Sequence, residues 1–372
     1  MSNEIQMGVL GAGGYVGGRA VQMARFQSTV RPVALIRGFR TLAKFSPAPV
    51  AYRTVNTTVA SELAEGLKGL DVVVNCTLGD VAAITSETQI MVQACRIAGV
   101  QRFIHLSSAV VYGRVEKALS REDAPTDTRS WMLYAREKAR TEEYLRVAMK
   151  QDGPQIVVLR PGLIWGPGSV WARMIGRELQ RGMTLPMDGS GIINLVYVDD
   201  LVQRIFRVAT AHTVQPGFYN TCDAETLTWK QFALAMAEAV SLSSDRVITV
   251  PEGELVASRK RVLEWALQRR SLYKLMRLVL AKLSPEAKES LKRRVYAITG
   301  EGPGPPAEFR GSTRPPTLPV LSREQWMVQT VCHPLPAEKF SEMFGPVPEV
   351  PFPEALRRTA AWLKFVSGTE PW

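Results

Sequence analysis

The chain has 372 residues, with 46 Lys and Arg against 35 Asp and Glu, a formal charge of +11 at pH 7. That length suits one large domain or two interlocked ones, and the basic balance favours anionic ligands over a general taste for cations. Four scattered cysteines (Cys76, Cys95, Cys222, Cys332) and three histidines (His105, His212, His333) argue against a disulfide framework and a metal centre, so no metal is expected.

The first predicted strand, EIQMGVL (4–10), runs directly into a glycine cluster, GVLGAGGYVGG (8–18), and then into a helix from RAVQMARF (19–26). The start of the chain leaves no room for a signal peptide, and no apolar run reaches membrane-spanning length, so the expectation is a soluble cytoplasmic protein. Strands follow at RPVALIR, DVVVNCT, RFIHLSS and QIVVLRP, separated by helical stretches. This alternation predicts an α/β fold, a doubly wound parallel sheet of the Rossmann kind. The pattern loosens after about residue 225, and GEGPGPPAEFRGSTRPP (300–316) reads as an exposed loop.

Strand, glycine turn and helix form the context of a dinucleotide site. Gly11 permits the tight turn, Gly14 the close approach of backbone to a pyrophosphate, and Gly17 the packing of helix on strand. Three glycines alone are weak evidence, since a plain strand–helix turn also uses them. A second signal is YAREK, where Tyr134 and Lys138 share one helix face a turn apart. An ammonium beside a phenol favours the phenolate and draws its pKa toward the working range. HLSSAVVYG (105–113) offers Ser107 and Ser108 at a strand end, where open α/β sheets bind ligands.

The pieces GAGGYVG, DVVVNCT, HLSSAVVYG, YAREK, LRPGLIWGPG, NLVYVDDL and GFYNTCDAETLTWKQ, with PEVPFPEALRRTAAWL near the end, resemble the extended short-chain dehydrogenases/reductases, the NAD(P)-dependent epimerase/dehydratase group. The resemblance covers most of the chain, least in 251–325. It implies that Ser108 orients the substrate oxygen, Tyr134 moves the proton, and Lys138 tunes Tyr134 and binds ribose. It implies cofactor contacts at Gly11, Gly13, Gly14, Tyr15, Val16 and Gly17, at Asn75, Cys76, Thr77 and Ser107, and at Pro161, Gly162 and Ile164. It also implies a cofactor domain over 1–165 with a returning segment near 192–225, and a smaller, mainly C-terminal α/β substrate domain over 166–372.

NAD sites usually carry an acidic residue about 20 positions beyond the glycines. This chain has none between Glu4 and Glu62 and places Arg37 and Arg40 at the end of the second strand, so the expected cofactor is NADP, with NAD less favoured. Asn56 stands where the family's adenine-contacting Asp would align. The positions beside Ser108 are Ala109 and Val110, which cannot move protons for a dehydration. Ile193 stands where nucleotide-sugar members hold a phosphate-binding Arg. Val110, Trp131, Met132 and Trp165 give the expected substrate surroundings an apolar cast, although each alone reads as core. The leading reading is an NADP(H)-dependent interconversion of a ketone and a secondary alcohol on an apolar or aromatic small molecule. A nucleotide-sugar epimerase or reductase and a non-catalytic NADP-binding scaffold stand as alternatives, and nucleic acid is not an expected partner.

From Leu255 to Arg294 the chain holds twelve Lys and Arg against three Glu, with Trp265, Leu272, Met276 and Val279 interleaved. The simpler reading is a solvated helical pair with one face packed on the body. The sharper one is a basic cover near the substrate entrance, its cations toward water or an anionic surface or partner. A homodimer is left open.

Overall fold

The run IQMGVL forms β1 (Ile5–Leu10), and the other predicted strands form β2 (Val30–Ile36), β4 (Val72–Asn75), β5 (Arg102–Leu106) and β6 (Gln155–Pro161), with a short β3 (Ala51–Thr54) after β2. The connecting helices are α1 (Tyr15–Ala24), α2 (Ala60–Leu67), α3 (Ile84–Ala98) and α4 (Leu133–Ala148). Beyond them come β7 (Leu163–Trp165), α5 (Val170–Arg181), β8 (Met183–Pro186), β9 (Ile192–Ile193), β10 (Leu195–Tyr197), α6 (Val198–Thr210) and β11 (Gly217–Thr221). The last elements are β12 (Leu227–Thr228), α7 (Trp229–Ala239), β13 (Val247–Val250), α8 (Arg270–Lys282), α9 (Arg323–Gln329), α10 (Glu338–Phe344) and α11 (Phe352–Thr369). The computed structural model describes residues 4–45, 49–113, 121–250, 268–284, 286, 287, 290 and 323–369. Trp265, most of the basic segment outside α8, and the loop 300–316 lie outside the described residues.

Seven strands make one sheet in the order β11-β6-β5-β4-β1-β2-β3, and every pairing in it is parallel. The chain runs outward from β1 to β3, then crosses back to β4 and builds the other half. The order therefore reverses between β1 and β4, and the crevice at their carboxyl ends is where such a sheet binds ligands. Parallel strands covered on both faces read as near-continuous apolar runs, which is why they were legible. Val16, Ala20, Leu201 and Ile205 of α1 and α6 cover one face. Leu63, Leu67, Met91, Cys95 and Leu145 of α2, α3 and α4 cover the other.

A second apolar core gathers α5, α7 and α11 around Trp165, Leu179, Phe232, Met236 and Leu363. Returning segments cross between the cores: β11 joins the large sheet, and Phe340 and Phe344 of α10 pack on Tyr219. Among the described residues, no helix is long and apolar enough to cross a membrane.

Candidate active site

The glycine turn closes on the end of β4. Gly11 sits at φ +81°, a left-handed conformation that favours glycine. A Cβ there would stand 2.8 Å from the Cys76 carbonyl carbon, and one on Gly17 would stand 2.3 Å from the Gly11 oxygen. α1 begins at Tyr15, inside the cluster, with Gly14 as a cap that has no side chain and no acidic residue in the first turn. Its first amides are thus unoccupied by side chains and carry the positive end of the helix dipole, a seat for a pyrophosphate. The residues fit a dinucleotide. Gly13 faces the side chain of Thr41, whose methyl and hydroxyl would both lie 3.0 Å from a Cβ there. Val16 is core, and the Tyr15 ring braces α1 against Gly166 and Gly168 of the loop after β7.

Arg37 and Arg40 are exposed beyond the end of β2. The Glu87 carboxyl, on α3, is pushed up by burial and pulled back by Arg37, so that guanidinium is close enough to be felt across the crevice mouth. Asn56 does not hang free: its side-chain oxygen accepts from the Thr58 amide at 3.0 Å and its amide donates to Glu62 at 2.9 Å. Below the crevice, the Asn75 oxygen accepts from the Thr77 amide and hydroxyl at 3.0 and 2.6 Å. Its amide meets His105 Nδ1 at 3.1 Å. Burial pushes the Cys76 thiol up to about 12, which leaves it inert as a nucleophile.

Ser108, Tyr134 and Lys138 come together. Ser108 caps a one-turn helix over Ala109–Tyr112, and its hydroxyl is near enough to the Tyr134 phenol to pull that group's pKa down. Lys138, buried one turn along α4, donates from Nζ to the Leu106 carbonyl at 2.6 Å. Its Nζ lies 5.9 Å from the centre of the Tyr134 ring. The expected lowering of the phenol is not what the protein alone produces. Burial pushes Tyr134 up to about 12, and only Ser108 pulls it back. Burial likewise pushes Lys138 down to about 8 against the pull of Glu142. Desolvation thus outweighs the neighbouring charge at this separation.

The hydroxyl of Ser107 is engaged inside the protein. It is buried and donates to Glu142 Oε1 at 2.6 Å. Glu142, one further turn along α4 from Lys138, takes a bidentate grip from Arg160 of β6, with Nη2 to Oε2 at 2.6 Å and Nε to Oε1 at 3.0 Å. Arg160 Nη1 also donates to the Tyr112 hydroxyl at 2.7 Å, and that hydroxyl donates to Asn220 at 2.6 Å. Both charges of the pair are fully enclosed. Sequence reasoning missed Glu142 and Arg160 because their spacing, i+4 from Lys138 and one before Pro161, resembles any helix or strand polar residue.

Val110 and Trp131 pack beside Tyr134 together with the buried Met132, Ala135 and Met327. Met327 comes from α9, more than 190 positions from Tyr134, and no local signal pointed to it. Trp165 does not join this wall. It is 1 % exposed and meets Tyr197 and Phe232 edge-on and Phe352 at a tilt in the second core. A large ring flanked by other apolar side chains gains more from that core than from an open cleft. Ile193 is buried there too. Past the sheet, Pro161 ends β6, and Gly162 lies so near Asn194 that a Cβ would stand 2.3 Å from its carbonyl oxygen. Ile164 packs on the core beneath α1. Asn194, also unforeseen, accepts from the Leu335 amide at 2.7 Å and ties the C-terminal segment to this wall.

Residues 7–222, more than half of the chain, match the NAD dependent epimerase/dehydratase family. The chain belongs to this family. Similar proteins include a 3 beta-hydroxysteroid dehydrogenase/Delta 5-->4-isomerase of Mycobacterium tuberculosis, 31% identical over 161 residues, which span 41% of this chain and 43% of that protein. A 2-alkyl-3-oxoalkanoate reductase of Stenotrophomonas maltophilia is 32% identical over 119 residues, 30% of this chain and 36% of that protein. The chain spans less than half the length of the first curated relatives it matches. Among solved structures, a dTDP-glucose 4,6-dehydratase of Bacillus anthracis in complex with NAD superposes with a TM-score of 0.66 at 14% identity, over 99% of this chain and 98% of that one. A UDP-glucuronic acid 4-epimerase of Bacillus cereus, with UDP-glucuronic acid and NAD, gives 0.65 at 15% identity, over 97% and 100%. At that identity the likeness establishes the family's fold, the doubly wound sheet with its second core.

Proposed function

We propose that the protein is an NADP(H)-dependent oxidoreductase interconverting a ketone and a secondary alcohol on a fairly apolar substrate. The observation that carries the reading is the meeting of Ser108, Tyr134 and Lys138 at one place, beside the apolar wall of Val110, Trp131, Met132 and Met327. A scaffold that only bound a dinucleotide has no need of a phenol and a hydroxyl brought together in this way. The glycine turn and the N-terminus of α1 would hold the pyrophosphate, Arg37 the 2′-phosphate, and Lys138 the ribose. The bound nicotinamide would supply or accept the hydride. Ser108 holds the substrate oxygen, and the Tyr134 hydroxyl gives it a proton in reduction and takes one in oxidation. Ala109 and Val110 offer no acid or base for eliminating water, which supports redox chemistry over dehydration. The names of two relatives, a hydroxysteroid dehydrogenase and an oxoalkanoate reductase, agree with an apolar carbonyl or alcohol.

The test is NADPH oxidation on a panel of alkyl, aryl and steroid ketones, beside calorimetry with UDP- and GDP-sugars. Turnover of an apolar ketone with no nucleotide-sugar binding is the expected result. Micromolar affinity for a nucleotide sugar, with no ketone turned over, would replace this reading by the epimerase one.

Cofactor choice gives a separate prediction. NADPH binds more tightly than NADH, and Arg37→Ala removes about one to two decades of NADPH affinity while leaving NADH unchanged, the usual worth of one charged hydrogen bond. Fluorescence titration of both nucleotides on both proteins decides it, and equal loss for the two would show that Arg37 does not read the phosphate.

A further inference from the structure

α8 is fastened to the active-site wall by its beginning. Gln268, just ahead of it, accepts from the Leu133 amide at 2.6 Å and from Arg136 at 2.8 Å, both in α4. Leu133 immediately precedes Tyr134. Arg270, the first residue of α8, donates to the Ala82 carbonyl at 3.0 Å and stands 3.8 Å from Glu137. Carboxylates answer the cations at this fastened end, Glu137 for Arg270 and Asp127 for Arg136. Trp131 lines the cleft between α4 and α8 and also packs in the wall beside Tyr134.

Beyond its first residue the helix, RSLYKLMRLVLAK, carries Lys274, Arg277 and Lys282 and no acidic residue. All three are exposed, and none makes an ion pair among the described residues. The next carboxylate in the chain, Glu286, comes after the helix has ended. From the sequence, the apolar side of this helix is expected on the body and its cations in water. The cations are in water, but the apolar side is divided. Tyr273, Met276 and Leu280 are half-buried. Leu272, Leu275 and Val279, at i, i+3 and i+7, form a second stripe with Leu278 beside it, and these four are 41, 58, 53 and 62% exposed. Helical periodicity sets Lys274 and Arg277 along the Leu278 edge of that stripe and Lys282 at its end.

A helix ordinarily gains by packing such a stripe on a core. Cations bordering the stripe specify what covers it: a surface apolar within and negative at its rim. An anionic bilayer has that layering, acyl chains beneath charged headgroups, and the long stems of Lys and Arg let leucines sit deeper than the charges. We infer that the outer face of α8 lies on an anionic lipid bilayer, its leucines at the acyl boundary and Lys274, Arg277 and Lys282 among the phosphates. The cleft beside Trp131 then stands at the membrane surface. The helix lies on the bilayer and does not cross it: its thirteen residues reach about 20 Å, against ~30 Å of hydrocarbon core. The docking rests on α8 alone. Its consequence for the substrate rests on the reductase reading: an apolar ketone dissolved in the bilayer reaches Tyr134 past Trp131 without crossing bulk water.

The experiment uses the full chain saturated with NADPH. Co-sedimentation is measured with vesicles of phosphatidylglycerol and phosphatidylcholine and with vesicles of phosphatidylcholine alone. The proteins are wild type, Leu275→Ser/Val279→Ser and Lys274→Gln/Arg277→Gln, with melting temperature and NADPH affinity as controls of folding. Wild type binds the anionic vesicles at least about tenfold more tightly than the neutral ones, since each cation near such a surface contributes roughly fivefold. Each variant binds them at least about tenfold more weakly than wild type, and raised salt releases the wild type. No wild-type binding to anionic vesicles, or binding that either variant leaves intact, overturns the inference. A dimer in solution that the leucine variant dissociates, without vesicle binding, assigns the stripe to a second copy of the chain and overturns it too. In parallel, turnover is measured for a long-chain alkyl ketone carried in the anionic vesicles and for a short, water-soluble ketone. Wild type exceeds the leucine variant by at least about tenfold on the vesicle-held ketone and equals it on the soluble one. Equal rates on both ketones overturn the delivery of substrate from the bilayer. Vesicle binding with neither ketone turned over by the wild type sinks the reductase reading and leaves the docking of α8 standing. Turnover of ketones without vesicle binding does the opposite.

Discussion

Replacing Tyr134 with Phe lowers turnover by at least about two decades and leaves NADPH affinity within about twofold of wild type. The ring keeps its place against Val110, Trp131 and Met327, and only the hydroxyl that meets Ser108 is lost. The pH dependence follows from the two shifts at the site. Reduction needs the protonated phenol, and burial pushes Tyr134 up to about 12, so the proton is present across the neutral range. Lys138, pushed down to about 8 by burial, keeps its charge below that pH and loses it above. Reduction is therefore flat below about pH 7 and falls above about pH 8, whereas oxidation, which needs the phenolate, rises as the medium becomes alkaline. Initial rates in both directions from pH 6 to 10 test this. Near-normal turnover in Tyr134→Phe would mean that another group carries the proton.

Glu142→Ala destabilises the fold by about 3–5 kcal/mol, the cost of leaving one charge of a buried pair without its partner. Arg160 is fully enclosed, and no solvent can replace the carboxylate that grips it. Set against the ~5–15 kcal/mol typical of a folded domain, such a loss is large. Ser107 loses its acceptor in the same step, and Lys138 loses the carboxylate that raises it. Chemical denaturation of Glu142→Ala should show the lower midpoint. Glu142→Met/Arg160→Met, which removes both charges, recovers most of the stability because neither is left unpaired. A double variant no more stable than Glu142→Ala would mean that the network acts through something other than the ion pair. Activity separates the two roles further, since the double variant still lacks the carboxylate that favours the Lys138 ammonium.

How much of this protein its sequence determined by itself depends on how local each cause is. The strands of the large sheet were legible because burial on both faces demands near-continuous apolar runs such as VVV and IVVL. The glycine turn was legible because φ +81° at Gly11 and the contact distances at Gly17 leave no room for a side chain, a restriction set by backbone geometry. Tyr134 and Lys138 were legible because helical periodicity alone puts them on one face. The rest needed the chain to fold back on itself. Whether a tryptophan lines a cleft or fills a core is decided by neighbours remote in sequence, which took Trp165 to Phe352 and left Trp131 beside Met327. That the Ser107 hydroxyl turns inward was decided by Glu142, across the helix–sheet interface. The pKa of Tyr134 moved up and not down because burial, a property of the whole enclosure, outweighed an ammonium whose spacing alone was visible. The inward turn of Arg270 at the start of α8 was also a tertiary decision: periodicity separates the two sides of a helix, and only contact with Ala82 and Glu137 draws that one cation toward the protein.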